Sequence, residues 1–125
     1  MIMIAFSLPK STDEEKKLRK DAIESATRNA TEVPFKTTEL DFASMEIIKA
    51  MAENGNPNSV SDAGVGALCA RSAVMGAFLN VKINASGLKD KAFVTEVLNK
   101  GFGIEQIAMT METEILQIVN DKIKF

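Results

Sequence analysis

GNPNSVSDAGVGALCARSAVMGAFLNVKIN, residues 55–84, decides how the chain folds. GNPNS is a turn: Pro57 fixes one backbone dihedral, and Asn56, Asn58 and Ser59 offer side-chain caps. A turn of this kind at a helix N-terminus also presents free N–H groups to an anion or a carbonyl. From Ser59 or Ser61 onward nothing interrupts a helix until ASG at 85–87, so one long helix is predicted to about Asn84. At ~100° per residue, Asp62, Gly66, Cys69, Ala73, Gly76 and Asn80 fall on one narrow stripe, with Asn84 slightly off it. Val65, Ser72, Leu79 and Ile83 fill a second side, and Arg71 and Lys82 share a third with Leu68, Met75 and Phe78. The helix is small or apolar nearly all round, which predicts burial in the middle of an assembly.

Upstream, residues 1–8 form an apolar turn or two closed by Pro9. Thr12 and Glu15 have capping-box spacing, with acids at 13–15 suited to a helix N-terminus. Leu18, Ala22, Ala26, Ala30 and Val33 recur at helical spacing, and Glu14–Lys17 and Glu15–Arg19 are expected to pair on the wet face. Pro34 removes a backbone donor and is predicted to kink or break the helix. Leu40, Ala43, Ile47, Ala50 and Met51 carry the period on to Gly55. Downstream, a last long helix is predicted from about Asp90, with Val97, Ile104, Met111 and Ile118 spaced by seven and Ile107, Ala108 and Ile115 widening the stripe. Gly101 and Gly103 weaken it locally. No alternating strand pattern and no repeat is present. The fold class is all-α, a bundle of long antiparallel helices, in one domain spanning 1–125.

Composition excludes several classes of function. The net charge is -2 with no basic patch, and there is neither Trp nor Tyr, so no nucleic-acid partner is expected. The chain has no His, which removes the commonest proton shuttle and metal ligand. A zinc enzyme and a serine–histidine hydrolase are therefore set aside. Cys69 is the one cysteine, so no intrachain disulfide can form and a reducing, cytoplasmic setting is expected. No activating base is readable beside Cys69, and it is read as a packing residue. MIMIAFSLPK lacks a basic leader and a cleavage site and is not read as a signal peptide. Residues 63–81 are apolar enough to raise the question of a membrane, but Arg71 would sit mid-span at ~2.5–3.5 kcal/mol or more. The reading is no membrane and a buried soluble helix.

Two readings stand for each polar or small position of the central helix. Gly66, Ala73 and Gly76 admit either a neighbouring helix or a flat ligand. Asp62 is either a first-turn acid favoured by the helix dipole or a functional carboxylate. Asn80 and Asn84 either satisfy neighbouring helix ends or hold the edge of a ligand ring. Arg71 is either an interhelical ion pair or an anion partner.

NPNSVSDAGVGAL, the small-residue run after it and NVKIN, together with AFSLPK, the TDEEKKLRKDAIESAT helix and ATEVPF, resemble the cyclodeaminase/cyclohydrolase family. That family includes the cyclodeaminase domain of formiminotransferase-cyclodeaminase and bacterial methenyltetrahydrofolate cyclohydrolases. The resemblance covers essentially the whole chain. It implies an all-helical homodimer that binds folate near subunit contacts, with no metal or redox cofactor and with a formiminotransferase as a possible partner. It implies either ring closure of 5-formiminotetrahydrofolate to 5,10-methenyltetrahydrofolate with loss of ammonia, or interconversion of methenyl- and 10-formyltetrahydrofolate. The family's domain normally opens with a helix pair before the AFxLPK segment and carries a Pro-Gly-Gly-Gly-Ser motif. The sequence has neither, and so corresponds to the C-terminal half to two-thirds of such a domain. An inactive helical fragment that acts only by oligomerising or binding a partner is the alternative expectation.

On the resemblance, Asp62 is the expected acid–base or electrostatic partner of the reacting one-carbon unit. Asn58 and Ser61 are expected to orient substrate polar atoms, with Asn80 and Asn84 doing so from the helix's other end. Lys82, Lys10, Arg71 and Lys89 are candidates for the glutamate tail. The two helix ends lie about 30 Å apart at ~1.5 Å per residue, so one ligand spans both only if a neighbouring subunit supplies one of them.

Overall fold

The computed structural model describes residues 1–123. Four α-helices run through them: α1 (Ile2–Ser7), α2 (Asp13–Asn54), α3 (Val60–Ala85) and α4 (Lys91–Lys122), with a single 3-10 turn, Pro57–Ser59, leading into α3. The short connections make α2, α3 and α4 antiparallel neighbours, an all-α bundle as the periodicities predict. α2 packs along α3 and α4, and α1 lies against α2.

α2 starts where its cap says it should. The Thr12 hydroxyl accepts from the Glu15 amide at 3.2 Å, and the Glu15 carboxylate accepts from the amides of Thr12 and Ser11 at 3.1 and 2.8 Å. That use of Glu15 leaves Arg19 without the expected partner. The Arg19 guanidinium instead donates to the Phe6 carbonyl at 3.1 Å and lies over the Phe6 ring, tying α1 to α2. Lys16 pairs with Asp13, and not Lys17 with Glu14.

Pro34 does not break the helix; α2 runs on for 42 residues. A proline at 34 orphans the carbonyl of Ala30, four residues earlier. The Asn84 side chain, from α3, donates to that carbonyl at 2.7 Å. The lost bond is thus replaced from the neighbouring helix. The two fully buried threonines of α2 are satisfied within it: Thr31 donates to Thr27 O at 2.9 Å and Thr38 to Pro34 O at 3.0 Å.

α3 keeps its predicted bounds, but not its predicted orientation. Its buried face is Val60, Gly64, Ala67, Ala70, Val74, Phe78, Val81 and Ala85. The stripe of Asp62, Cys69, Ala73 and Asn80 faces outward, and a Cβ built on Gly76 would touch nothing within 4 Å. The expectation that small residues there serve packing inside the bundle holds for Gly66, which faces Ile48 of α2, and is corrected for Ala73 and Gly76; the buried small residues are Gly64, Ala67 and Ala70. A Cβ on Gly64 would press on Val119 of α4 at 3.3 Å. The same rotation applies to α2, whose Leu18, Val33, Leu40, Ile47 and Met51 keep the period but stay exposed. Ala26 of the predicted stripe is buried, and Met45 and Ala52 join it in the interior.

The core is layered along the bundle: Ala52, Val60, Ala67 and Ile115 at one end, Met45, Val74 and Ala108 in the middle, Phe78, Val81 and Val97 at the other. α4 presents Val97, Gly101, Ala108, Ile115 and Val119, while Ile107 is exposed. Gly101 is a core position: a Cβ there would collide with the edge of the Phe78 ring. α4 begins at Asp90, whose carboxylate accepts from the Phe93 amide at 3.0 Å and pairs with Arg28 of α2 at 3.0 Å. It ends with the Lys122 ammonium donating to the carbonyls of Ala52 and Glu53, the free C-terminal acceptors of α2.

Candidate functional site

The end of α2 and the start of α3 wall a groove of about 380 Å³. Its apolar walls are Ile47, Ile48 and Met51 of α2 and Ala63 of α3; its polar groups are Asn56, Ser59 and Asp62. The local sequence builds it. A side chain at Gly55 would run into the Met51 carbonyl, so the chain leaves α2 at a residue without one. Asn56, preceding Pro57, is held extended at φ -61° and ψ 120°. Its side-chain oxygen accepts from the Asn58 amide at 3.0 Å and its carbonyl from the Ser59 amide at 2.9 Å, closing the turn. Ser59 is the N-cap of α3, yet its hydroxyl makes no capping hydrogen bond. Asp62 is the one acid in the first turn of α3, at the positive end of the helix dipole. Among the described residues it is also the sole charged group lining the groove. One carboxylate, an amide and a hydroxyl on apolar walls suit a flat ligand of neutral or positive charge.

Of the residues expected to form a site, the structure brings Asp62 to this groove beside Asn56 and Ser59. Asn58 and Ser61 are exposed next to it without lining it. Asn80 donates to Gly76 O of its own helix at 3.2 Å, and the Asn84 amide is taken by Ala30 O. Lys82 pairs with Glu105 at 3.7 Å and lies over the Phe78 and Phe102 rings. Arg71 pairs with Glu112 at 2.8 Å, the interhelical role that was one of its two readings. Lys10 precedes α2, and so lies roughly 60 Å from the groove along a 42-residue helix. Lys89 lies at that far end too, its pKa pushed down first by loss of hydration and then by Lys20. Asn56 and Ser59 were legible only as caps, and Ile47 and Met51 only as members of a helical period. The Asn-Pro pair, which forces an extended Asn56 at the α2–α3 junction, was the available signal.

Comparison with known proteins shows the family of the chain. The sequence pattern of the formiminotransferase-cyclodeaminase family matches residues 1–101. The chain is 38% identical over 122 residues to a methenyltetrahydrofolate cyclohydrolase of Methylorubrum extorquens, covering 98% of this chain and 59% of that protein. It is 38% identical over 94 residues to the formimidoyltransferase-cyclodeaminase of Gallus gallus, covering 75% of this chain and 17% of that protein. The corresponding protein of Rattus norvegicus is 31% identical over 112 residues, 90% of this chain and 21% of the other. The chain thus spans about three fifths of the first of these relatives and about a fifth of the other two. With the family pattern running through α1, α2 and α3 and into α4, the chain belongs to the formiminotransferase-cyclodeaminase family.

Proposed function

We propose that the chain acts on the one-carbon bridge between N5 and N10 of tetrahydrofolate, and that the groove around Asp62 receives the bridge. The observation that carries this reading is the solitary carboxylate: 5,10-methenyltetrahydrofolate is a planar amidinium cation, and a lone anion on apolar walls favours such a charge. Family membership supplies the substrate class.

Two reactions share that cation. In hydrolysis, water adds to the methenyl carbon and loses one proton, and the C–N5 bond then breaks as the remaining hydroxyl proton passes to N5, leaving 10-formyltetrahydrofolate. In cyclodeamination, N10 attacks the formimino carbon of 5-formiminotetrahydrofolate; the amine is protonated and leaves as ammonia. Asp62 would hold the substrate cation and take the proton in the first, and hold the developing cation in the second, with Asn56 and Ser59 orienting polar atoms. Hydrolysis is favoured by the cyclohydrolase relative, which aligns with nearly the whole chain. Cyclodeamination is the second reading, favoured by the relatives named for it. A homodimer in the cytoplasm, with a formiminotransferase as possible partner, completes the proposal.

Binding is the first test. Methenyltetrahydrofolate titrated into the purified chain should bind, and Asp62→Asn should weaken binding at least about tenfold, the effect of ~1.4 kcal/mol, with helicity unchanged. Equal affinity in the variant would sink the assignment. Assays with each of the two substrates then separate hydrolysis from deamination.

A further inference from the structure

A second cavity, of about 210 Å³, opens between α2 and α4 beside the Phe78 layer of the core. Its two walls share one pattern. Glu32, Phe35, Lys36 and Glu39 of α2 stand at i, i+3, i+4 and i+7, and so do Phe93, Glu96, Val97 and Lys100 of α4. That spacing puts each set on one face of its helix. Phe35, Phe93 and Val97 form an apolar floor packed with Phe78 and Val81, and the charged groups form the rim. The Phe93 ring is held out of the space by the Arg28 guanidinium, which lies 4.0 Å from the ring centre and is itself pinned by Glu32 and Asp90 at 3.0 Å each.

We propose that this cavity is a binding site for a small aromatic amine, its ring laid on Phe35, Phe93 and Val97 and its ammonium paired with Glu39. Three observations choose that chemistry. The first is size. A cavity of ~150 Å³ holds one benzene ring, and sites for drug-sized ligands begin at ~300 Å³. The space here takes one small ring system with a short arm and is too small for a molecule as long as a folate. The second is the floor, whose ring faces and edges offer an aromatic ligand offset and edge-on contacts. The third is the state of the rim. Among the described residues three carboxylates face two ammoniums, which leaves one negative charge in excess. Arg28 and Asp90 behind them bring one charge of each sign and cancel. Glu32 is taken by Arg28 at 3.0 Å, and Glu96 by Lys100 at 2.6 Å, which holds the Glu96 carboxyl below its ordinary pKa. Glu39 has Lys36 at 3.8 Å, past hydrogen-bond reach. The excess charge therefore rests on Glu39, half-buried at the edge of an apolar floor. An ammonium there keeps more of its attraction than at an open surface. A neutral or anionic ring would shield that carboxylate from water and give it no partner.

The cavity is separate from the Asp62 groove. It lies between a different pair of helices, about 20 Å away along α2. The site therefore does not rest on the function proposed above.

Tryptamine, an indole on a two-carbon ammonium arm, is the probe. Titrated into the full chain and followed by amide NMR shifts, it should bind saturably at millimolar concentration or below, moving the amides of residues 32–39 and 93–100. Indole-3-propionate, with a carboxylate in place of the ammonium, should bind at least about tenfold more weakly. Glu39→Gln should weaken tryptamine binding at least about tenfold with circular dichroism unchanged, whereas Asp62→Asn should bind tryptamine as the wild type does. No saturation at those amides by about 10 mM tryptamine, equal affinity for the two indoles, an affinity indifferent to Glu39→Gln, or shifts confined to the Asp62 groove and lost in Asp62→Asn would each overturn the site.

Discussion

Asn84 shows how a single amide decides the course of a 42-residue helix. Its neighbourhood gave two readings, helix partner or ligand holder, and the structure supplies the first. Pro34 read as a breaker because a sequence displays the donor that is lost. It does not display a replacement donor fifty residues further on. Asn84→Ala leaves the Ala30 carbonyl unsatisfied and should cost about 1–3 kcal/mol in urea denaturation. In a Pro34→Ala background the backbone amide returns, and the same substitution should cost markedly less. Equal costs in the two backgrounds would show that the amide and the proline are not coupled. Gly101 is the second such residue. From the pattern it is a weak spot in α4; in the fold it is the place where the Phe78 ring crosses. Gly101→Ala should destabilise by about 1–3 kcal/mol, and Phe78→Leu should relieve part of that loss, measured by thermal melts of both single variants and the pair.

At the scale of the elements, the ends were legible and the rotations were not. Thr12, Asp90 and the ASG turn stop or start helices through local hydrogen bonds, which sequence spacing reports directly. Which way a helix faces is a vote between its polar and apolar sides, and α3 has too few polar residues to hold one. Asp62 was legible as a candidate because the chain has no His and Asp62 is the carboxylate of the family-like segment NPNSVSDAGVGAL. The groove walls were not, since they come from α2 through tertiary packing. The start of α4 also carries a pH signature. The Asp90 carboxyl is held below its ordinary pKa, chiefly by the Phe93 amide and further by Arg28. A depressed carboxyl adds stability above its unfolded pKa, and that stability is lost as pH falls through the folded value. Asp90→Asn, which keeps the cap oxygen, should therefore lower the Tm at pH 7, and the gap to wild type should close in the acid range below about pH 4. A gap independent of pH would contradict that assignment.

For the molecule as a whole, the bundle is complete on one side of α3 and apolar on the other. The prediction that α3 lies at the centre of an assembly is met only by half within a single chain. The groove sits where both sides meet, since Asp62 belongs at once to its lining and to the outward face. The Lys122 clasp on the last carbonyls of α2 bears on how that groove comes into being. It joins residues 70 positions apart in sequence, so it closes only after α3 and α4 have both folded back along α2. The helices can therefore assemble before the mouth of the groove acquires its final shape. In pulse-labelling hydrogen exchange during refolding, the amides at the end of α2 should gain protection after those of the Phe78 layer, and Lys122→Met should delay them further while leaving that layer on its original schedule.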